Sequence, residues 1–258
     1  MIGGRGIGKD NDVAQRVRRK WKLGFGYRLA VFILWPFMKT FTRKDWRNTE
    51  ILNADDGGII VAANHMSWID PIAISYVLWE NDRPPRFLAK EPIFRVKVIG
   101  PIVKSAGQIP VFRESRDAIA AVRSAVDAVN NGECVVVYPE GTITRDPNLW
   151  PMDAKTGAAR IALATGRPLI PMAHWGCQNI MAPYKKEFKI LPPKRIHVIF
   201  GDPIDLSDLA GRPMDTETLN IATNRLMDAI TALQAELRGE QPPAQRYVHS
   251  RKKKDDAQ

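Results

Sequence analysis

From residue 58 onward, short apolar runs and amphipathic stretches take turns along the chain, a rhythm that predicts strands alternating with helices. Residues 59–63 (IIVAA) and 134–138 (CVVVY) are continuous apolar runs rich in β-branched side chains, as strands buried on both faces require. Residues 108–112, 169–173 and 196–200 read as further strands. Asp70-Pro71 opens a helix toward residue 79, because proline suits a first helical turn. Ser115 is placed to cap a helix running to residue 130, with Ile119, Val122, Val126 and Val129 at helical spacing and Asn131-Gly132 as its stop. Residues 156–165 form a small-residue helix ended by Gly166. Residues 216–237 form a longer one with Leu219, Leu226, Ile230, Leu233 and Leu237 on one side. The expected fold is α/β: a mixed, mostly parallel sheet covered by helices, with functional residues where strands end and loops begin.

The amino end has a different texture. Residues 29–38 (LAVFILWPFM) carry no charge, are bounded by Arg28 and Lys39, and are interrupted by Pro36. As a helix this run covers about 15 Å, half the hydrocarbon core of a bilayer. It is followed by no small-residue cleavage site, so a secretory signal is not expected. The pattern predicts an amphipathic helix lying at a membrane interface, with Trp21, Tyr27, Trp35 and Trp46 at the headgroup level. A helix packed on the domain's own core is the alternative.

Charge changes this picture. The chain of 258 residues has a net charge of +10, but residues 1–50 hold 12 Lys or Arg against 4 Asp or Glu. Residues 241–258 hold 5 against 2, which leaves 51–240 at −1. Basic ends around a near-neutral centre favour an anionic bilayer surface, and no basic stripe accompanies a nucleic-acid recognition helix. The expected organisation is a membrane-associating segment over 1–50, an α/β domain over 51–240 and a basic flexible tail over 241–258. The only cysteines, Cys134 and Cys177, form no CxxC pair and read as small apolar side chains in a reducing compartment. No metal-binding cluster is evident, so metal-free chemistry is expected.

The candidate chemistry lies at the end of the first buried strand. His65 and Asp70 are five residues apart across a strand-to-helix junction, and a turn around Ser67 and Trp68 would fold them together. A His oriented by a carboxylate can take the proton from a hydroxyl as that hydroxyl attacks. Asn64 could pin the turn. Of the other histidines, His197 lies inside a strand pattern and His249 in a polar tail. His174 follows a strand, but no carboxylate is expected to orient it.

Further blocks surround that pair. Asn64-His65-Met66-Ser67-Trp68-Ile69-Asp70 has the form NHxSxxD, and Gly107-Gln108-Ile109-Pro110-Val111-Phe112-Arg113 is a glycine, a short strand and an arginine. Tyr138-Pro139-Glu140-Gly141-Thr142 has the form [FY]PEGT, and Ile170-Pro171-Met172 is an apolar-proline step on a strand. Phe87-Leu88-Ala89-Lys90 and Lys155-Thr156-Gly157-Ala158-Ala159 complete the set. In this order, across roughly residues 58–205, they resemble the glycerolipid acyltransferase family that includes 1-acylglycerol-3-phosphate acyltransferases.

The resemblance implies transfer of a fatty acyl group from acyl-CoA or acyl carrier protein to the 2-hydroxyl of 1-acylglycerol 3-phosphate, giving phosphatidic acid. His65 would act as general base and Asp70 would orient it, with no acyl-enzyme, no cofactor and no metal. Chains of the family often carry Arg directly after PEGT, where Ile143 stands, so Arg145 or Lys155 would supply the charge for an acceptor phosphate. Lys90, Arg113, Glu140, Gly141 and Thr142 complete the expected substrate contacts. Surface ion pairing is the alternative for Lys90 and Arg113, and capping of a neighbouring turn for Glu140. Ser67 fits a turn hydrogen bond better than a nucleophile, in keeping with the absence of a G-x-S-x-G elbow. The partners expected are an anionic membrane, on its cytoplasmic face, a lysophospholipid and the acyl donor, without nucleic acid. The substitution at Ile143 keeps other acceptors open: another lyso-lipid, glycerol 3-phosphate or a glycolipid. A non-catalytic lipid-binding module is the reading from another class.

Overall fold

The computed structural model describes residues 21, 23–54, 56–111, 115–185 and 187–248, without the side chains of 115–118. Seven strands form one sheet: β1 (Thr42–Arg47), β2 (Ile59–Ala63), β3 (Pro85–Lys90), β4 (Ile109–Val111), β5 (Cys134–Val137), β6 (Leu169–Trp175) and β7 (Lys194–Phe200). Their spatial order is β1-β7-β6-β2-β5-β3-β4, and every neighbouring pair is parallel except β6–β7. The helices are α1 (Phe25–Phe41), α2 (Asp70–Glu80), α3 (Ile99–Ser105), α4 (Ser115–Asn130), α5 (Gly157–Thr165) and α6 (Thr216–Arg238).

The two-residue period of a strand explains the layers. Ile59, Val61 and Ala63 of β2 join Ile74, Val77 and Leu78 of α2 and Met38 of α1 in one core. Ile60 and Ala62 face the opposite way, into a core with Ala125 of α4, Ile161 of α5 and Leu226 of α6. All five residues of β2 are therefore buried, which accounts for its unbroken apolar run. Helix ends follow local chemistry. Asp215 accepts from Thr218 N at 2.9 Å to open α6, and α5 and α6 stop at Gly166 and Gly239.

Several elements depart from the sequence pattern. On α4 the buried stripe is Ala121, Ala125, Ala128 and Val129, while Ile119 is exposed. Alanines allow the helix to lie close on the sheet, and bulk sets the pattern less than approach does. The capping expected of Ser115 involves a side chain outside those described. Strands β1 and β3 and helix α3 were not expected. β1 (TRKDWR) is an edge strand with mostly polar residues, placed by its parallel register with β7. Its Asp45 Oδ2 lies 2.7 Å from His197 Nδ1 across that register. The α/β layer thus begins at residue 42, not 51.

Helix α1 runs straight through Pro36 rather than being interrupted by it. Its Gly26 permits close contact with α3, since an added Cβ there would lie 2.6 Å from the Ile102 carbonyl oxygen. Tyr27 packs on Trp79, while Trp35 and Trp46 lie partly buried against the core, so the aromatic residues expected at the headgroup level are turned inward. Phe25, Phe32 and Ile33 are the exposed apolar residues of this helix. No helix among the described residues is long and apolar enough to cross a membrane. At the other end the tail is docked as far as 248: Asp153 N donates to Tyr247 O at 3.0 Å, and Arg246 pairs with Asp228 and Asn224. Residues 249–258, including His249 and the basic run, lie outside the described residues.

The connections decide where a site forms. After β2 the chain crosses toward β3 through α2, and after the adjacent β5 it crosses the other way toward β6 through α5. Chain segments that diverge from neighbouring carboxyl ends leave a crevice there. Residues 64–70 leave β2 and residues 138–145 leave β5 at that place.

Candidate active site

The 64–70 turn is built around one carboxylate oxygen. Asp70 Oδ2 accepts from Met66 N at 2.6 Å and Ser67 N at 2.7 Å, and lies 2.9 Å from His65 Nδ1. A turn, not a continuous helix, thus brings the two residues together, as their spacing required. With Nδ1 against the carboxylate, that nitrogen carries the hydrogen and Nε2 is the basic nitrogen. The His65 side chain is partly open to solvent, and Asp70 is fully buried. Burial alone would raise the Asp70 carboxyl, but the charge of His174 and the bonds from His65 and Ser67 hold it below its ordinary range.

The loop after β5 braces His65 from both sides. Glu140 Oε1 accepts from His65 N at 3.0 Å, and Thr144 N donates to His65 O at 2.7 Å. Glu140 Oε2 accepts from Met152 N at 3.0 Å. Both oxygens are thus engaged on backbone inside the protein, and Glu140 is buried. This is the arrangement of the alternative reading, a carboxylate that caps a neighbouring turn. Burial pushes the Glu140 carboxyl up to about 8, against the lowering by its two backbone donors. Tyr138 stacks on the imidazole of His65, with ring centres 4.1 Å apart and planes at 18°.

Asn64 and His174 lock β2 to β6. The Asn64 side chain donates to His174 O at 3.1 Å and accepts from His174 N at 2.9 Å. His174 Nε2 lies 2.9 Å from Asn64 O and 3.6 Å from Asp70 Oδ2. A carboxylate does therefore adjoin His174, contrary to the expectation from sequence, because Asp70 is shared by two histidines. His174 is buried, so its ring is not presented to a substrate. Ser67 donates through Oγ to Met181 O at 2.7 Å and accepts from Ile69 N at 3.2 Å, the work of a turn residue.

Asp70, His174 and Cys177 place one potential ligand atom each within 4.8 Å of one another, a juxtaposition not evident in the sequence. Asp70 Oδ2 is occupied by three donors, and Cys177 is held as a thiol by burial and by the Asp70 charge.

The cationic residues are distributed unevenly. Lys155 packs over Gly141: an added Cβ there would lie 3.2 Å from its Nζ, and Gly141 has φ +69°. Glycine is thus needed both for the left-handed turn and for the approach of the lysine. Thr142 follows it, half-buried, and Ile143 is buried. Arg145 is exposed, and its guanidinium lies 3.9 Å from the centre of the Tyr184 ring. Lys90 ends β3 on the same rim of the sheet and is exposed. Arg113 lies outside the described residues. Sequence reasoning missed Tyr138 as a stacking partner, although it lies inside a motif, and missed Tyr184 and Met181, which no local pattern marks.

Comparison with known proteins bears on this arrangement. Residues 43–175 match the Acyltransferase family model. A 1-acyl-sn-glycerol-3-phosphate acyltransferase from Bacillus subtilis is 28% identical over 190 residues, 74% of this chain and 87% of the relative. One from Streptococcus pneumoniae is 25% identical over 211 residues, 81% of this chain and 71% of the relative. A chloroplastic one from Brassica napus is 28% identical over 212 residues, which are 81% of this chain but only 59% of that longer protein. The fold is similar to the crystal structure of the 1-acyl-sn-glycerophosphate (LPA) acyltransferase PlsC from Thermotoga maritima, with TM-score 0.59 and 21% identity over 92% of this chain and 86% of that one.

Proposed function

Because the chain belongs to the acyltransferase family, we propose that it transfers a fatty acyl group from acyl-CoA or acyl carrier protein to the 2-hydroxyl of 1-acylglycerol 3-phosphate, forming phosphatidic acid. The observation that carries this reading is the His65 imidazole, fixed by Asp70 and presenting Nε2 beside a loop bearing Lys155 and Arg145. The relatives named as acting on 1-acyl-sn-glycerol 3-phosphate support the choice of acceptor.

In this mechanism the acceptor hydroxyl oxygen attacks the thioester carbonyl carbon while Nε2 takes its proton. Asp70 stabilises the imidazolium that forms, and Tyr138 presents its ring face to the same cation. The tetrahedral adduct collapses with cleavage of the C–S bond, and the proton passes from Nε2 to the departing sulfur. Oxygen ester and free thiol are the products, and no acyl-enzyme forms. Lys155, Arg145 and Lys90 hold the acceptor phosphate. The exposed apolar side of α1, with Phe25, Phe32 and Ile33, enters the cytoplasmic surface of an anionic bilayer, where the lipid substrate resides.

The test is product identification by mass spectrometry after mixing the purified protein with lysophosphatidate and several acyl-CoAs. Phosphatidic acid is the expected product, and His65→Ala should abolish it without changing thermal unfolding. Full activity of that variant refutes the mechanism. Ile143 motivates a second reading, the same chemistry on another lyso-lipid, glycerol 3-phosphate or a glycolipid. A panel of these acceptors with one donor separates the two.

A further inference from the structure

The segment 176–185 lies beyond the residues matched by the family model, yet it returns to the site. Its Met181 carbonyl accepts from Ser67 Oγ at 2.7 Å, which ties it to the turn carrying His65 and Asp70. Three residues on, Tyr184 O–H donates to the Ile143 carbonyl at 2.5 Å, and the ring of the same side chain underlies the Arg145 guanidinium. One tyrosine therefore grips both ends of 143–145 while Thr144 between them donates to the His65 carbonyl. Tyr184 is 45% exposed and adopts φ +58°, a left-handed conformation that disfavours a bulky side chain and here is held by its contacts.

An arginine at the surface ordinarily samples many rotamers. Contact with the Tyr184 ring, 3.9 Å from its centre, restricts this one, and among the described residues no carboxylate pairs with its guanidinium. Its charge and planar donors are thereby available to an anion, in a position set by a backbone bonded directly to His65. The buried Ile143 leaves Arg145 as the first cation after Thr142.

We propose that Tyr184 is a positioning residue for acceptor recognition: through its stacking on Arg145 and its bond to Ile143 it orients that guanidinium toward a phosphate monoester on the acceptor. The inference rests on the reading of the acceptor as a phosphate-bearing lysolipid. Ring and hydroxyl have separable parts, the ring holding the guanidinium and the hydroxyl holding the backbone that delivers it.

The experiment compares kcat and KM for lysophosphatidate and for the uncharged 1-acylglycerol, in the parent and in Tyr184→Leu, Tyr184→Phe, Arg145→Gln and the Arg145→Gln/Tyr184→Leu pair. Tyr184→Leu should raise KM for lysophosphatidate about tenfold with kcat little changed, the scale of one lost cation–π contact and one hydrogen bond. Tyr184→Phe should fall between parent and Leu, and KM for the uncharged acceptor should be unaltered in the two single Tyr184 variants. On the Arg145→Gln background, Tyr184→Leu should add nothing. Additive effects in the pair, or a fall in kcat with unchanged KM, overturn the inference. A parent that acylates both acceptors with equal KM refutes the acceptor reading and this inference with it. A parent selective for the phosphate, whose selectivity survives Tyr184→Leu, refutes the inference alone.

Discussion

Replacing Asp70 by Asn isolates the charge behind the His65 imidazole, and so tests the proposed general base. In many His–carboxylate pairs such a change also allows the wrong tautomer. Here the backbone prevents it. Met66 N and Ser67 N both point at the position of Oδ2, so the amide must place its oxygen there, and the same oxygen still meets His65 Nδ1. The geometry survives, and what disappears is the negative charge 2.9 Å from the nitrogen of the developing imidazolium. At that separation the attraction is about 6 kcal/mol with an effective dielectric of about 20. The dipole of the amide returns part of it, which leaves ~4 kcal/mol on the transition state, or about a thousandfold in kcat at one decade per 1.36 kcal/mol. The assay is initial-rate acyl transfer at saturating donor and acceptor, with thermal unfolding measured in parallel. Asp70→Asn should lose about three decades in kcat with KM nearly constant. A folded variant within tenfold of the parent would show that His65 carries no positive charge in the transition state. Stability gives an independent check. The Asp70 carboxyl is lowered by the fold, so its contribution is present above its unfolded value of 3.8 and is lost as the pH falls through the folded one. The stability difference between parent and variant should therefore shrink in acid.

Glu140 gives the opposite pH dependence. Its folded value is about 8 against 4.5 unfolded, so its stabilising contribution is complete below 4.5 and declines as the pH rises toward 8. Melting temperature across that window should fall in the parent, and the slope should vanish in Glu140→Gln; parallel curves would exclude a neutral Glu140 in the fold. Ser67→Ala removes one donated and one accepted bond, so it should cost about 1–2 kcal/mol of stability and leave kcat within tenfold. A loss as deep as that of His65→Ala would instead make Ser67 a nucleophile. Phe25→Asp with Phe32→Asp should weaken cosedimentation with anionic vesicles by more than tenfold, at about 2 kcal/mol for each phenyl group withdrawn from lipid. Unchanged sedimentation would refute the proposed bilayer contact through this helix.

Legibility differed by element for identifiable reasons. β2 and β5 could be read because burial on both faces demands continuous apolar runs, and their neighbours confirm it. β1 could not: an edge strand answers to solvent on one side, and only its pairing with β7 makes it a strand. The His65–Asp70 pair was legible as a motif, and its turn followed from spacing. Glu140 was legible as a position but not as a role. A carboxylate in a motif can face a substrate or the backbone, and only the fold brings Met152 N and His65 N to this one.

By itself the sequence determined the alternation of strands and helices, the buried runs that carry the motifs to their ends, and the residue types able to move a proton and hold a phosphate. These are local matters, governed by periodicity, by glycine and proline, and by side-chain chemistry. The tertiary structure decided which segments meet: His174 beside Asp70 across β6, Tyr138 on the face of His65, and Tyr184 returning from a distant loop to Arg145. Such contacts depend on the order of strands in the sheet and on where each crossover returns, and neither is encoded in the spacing of neighbouring residues.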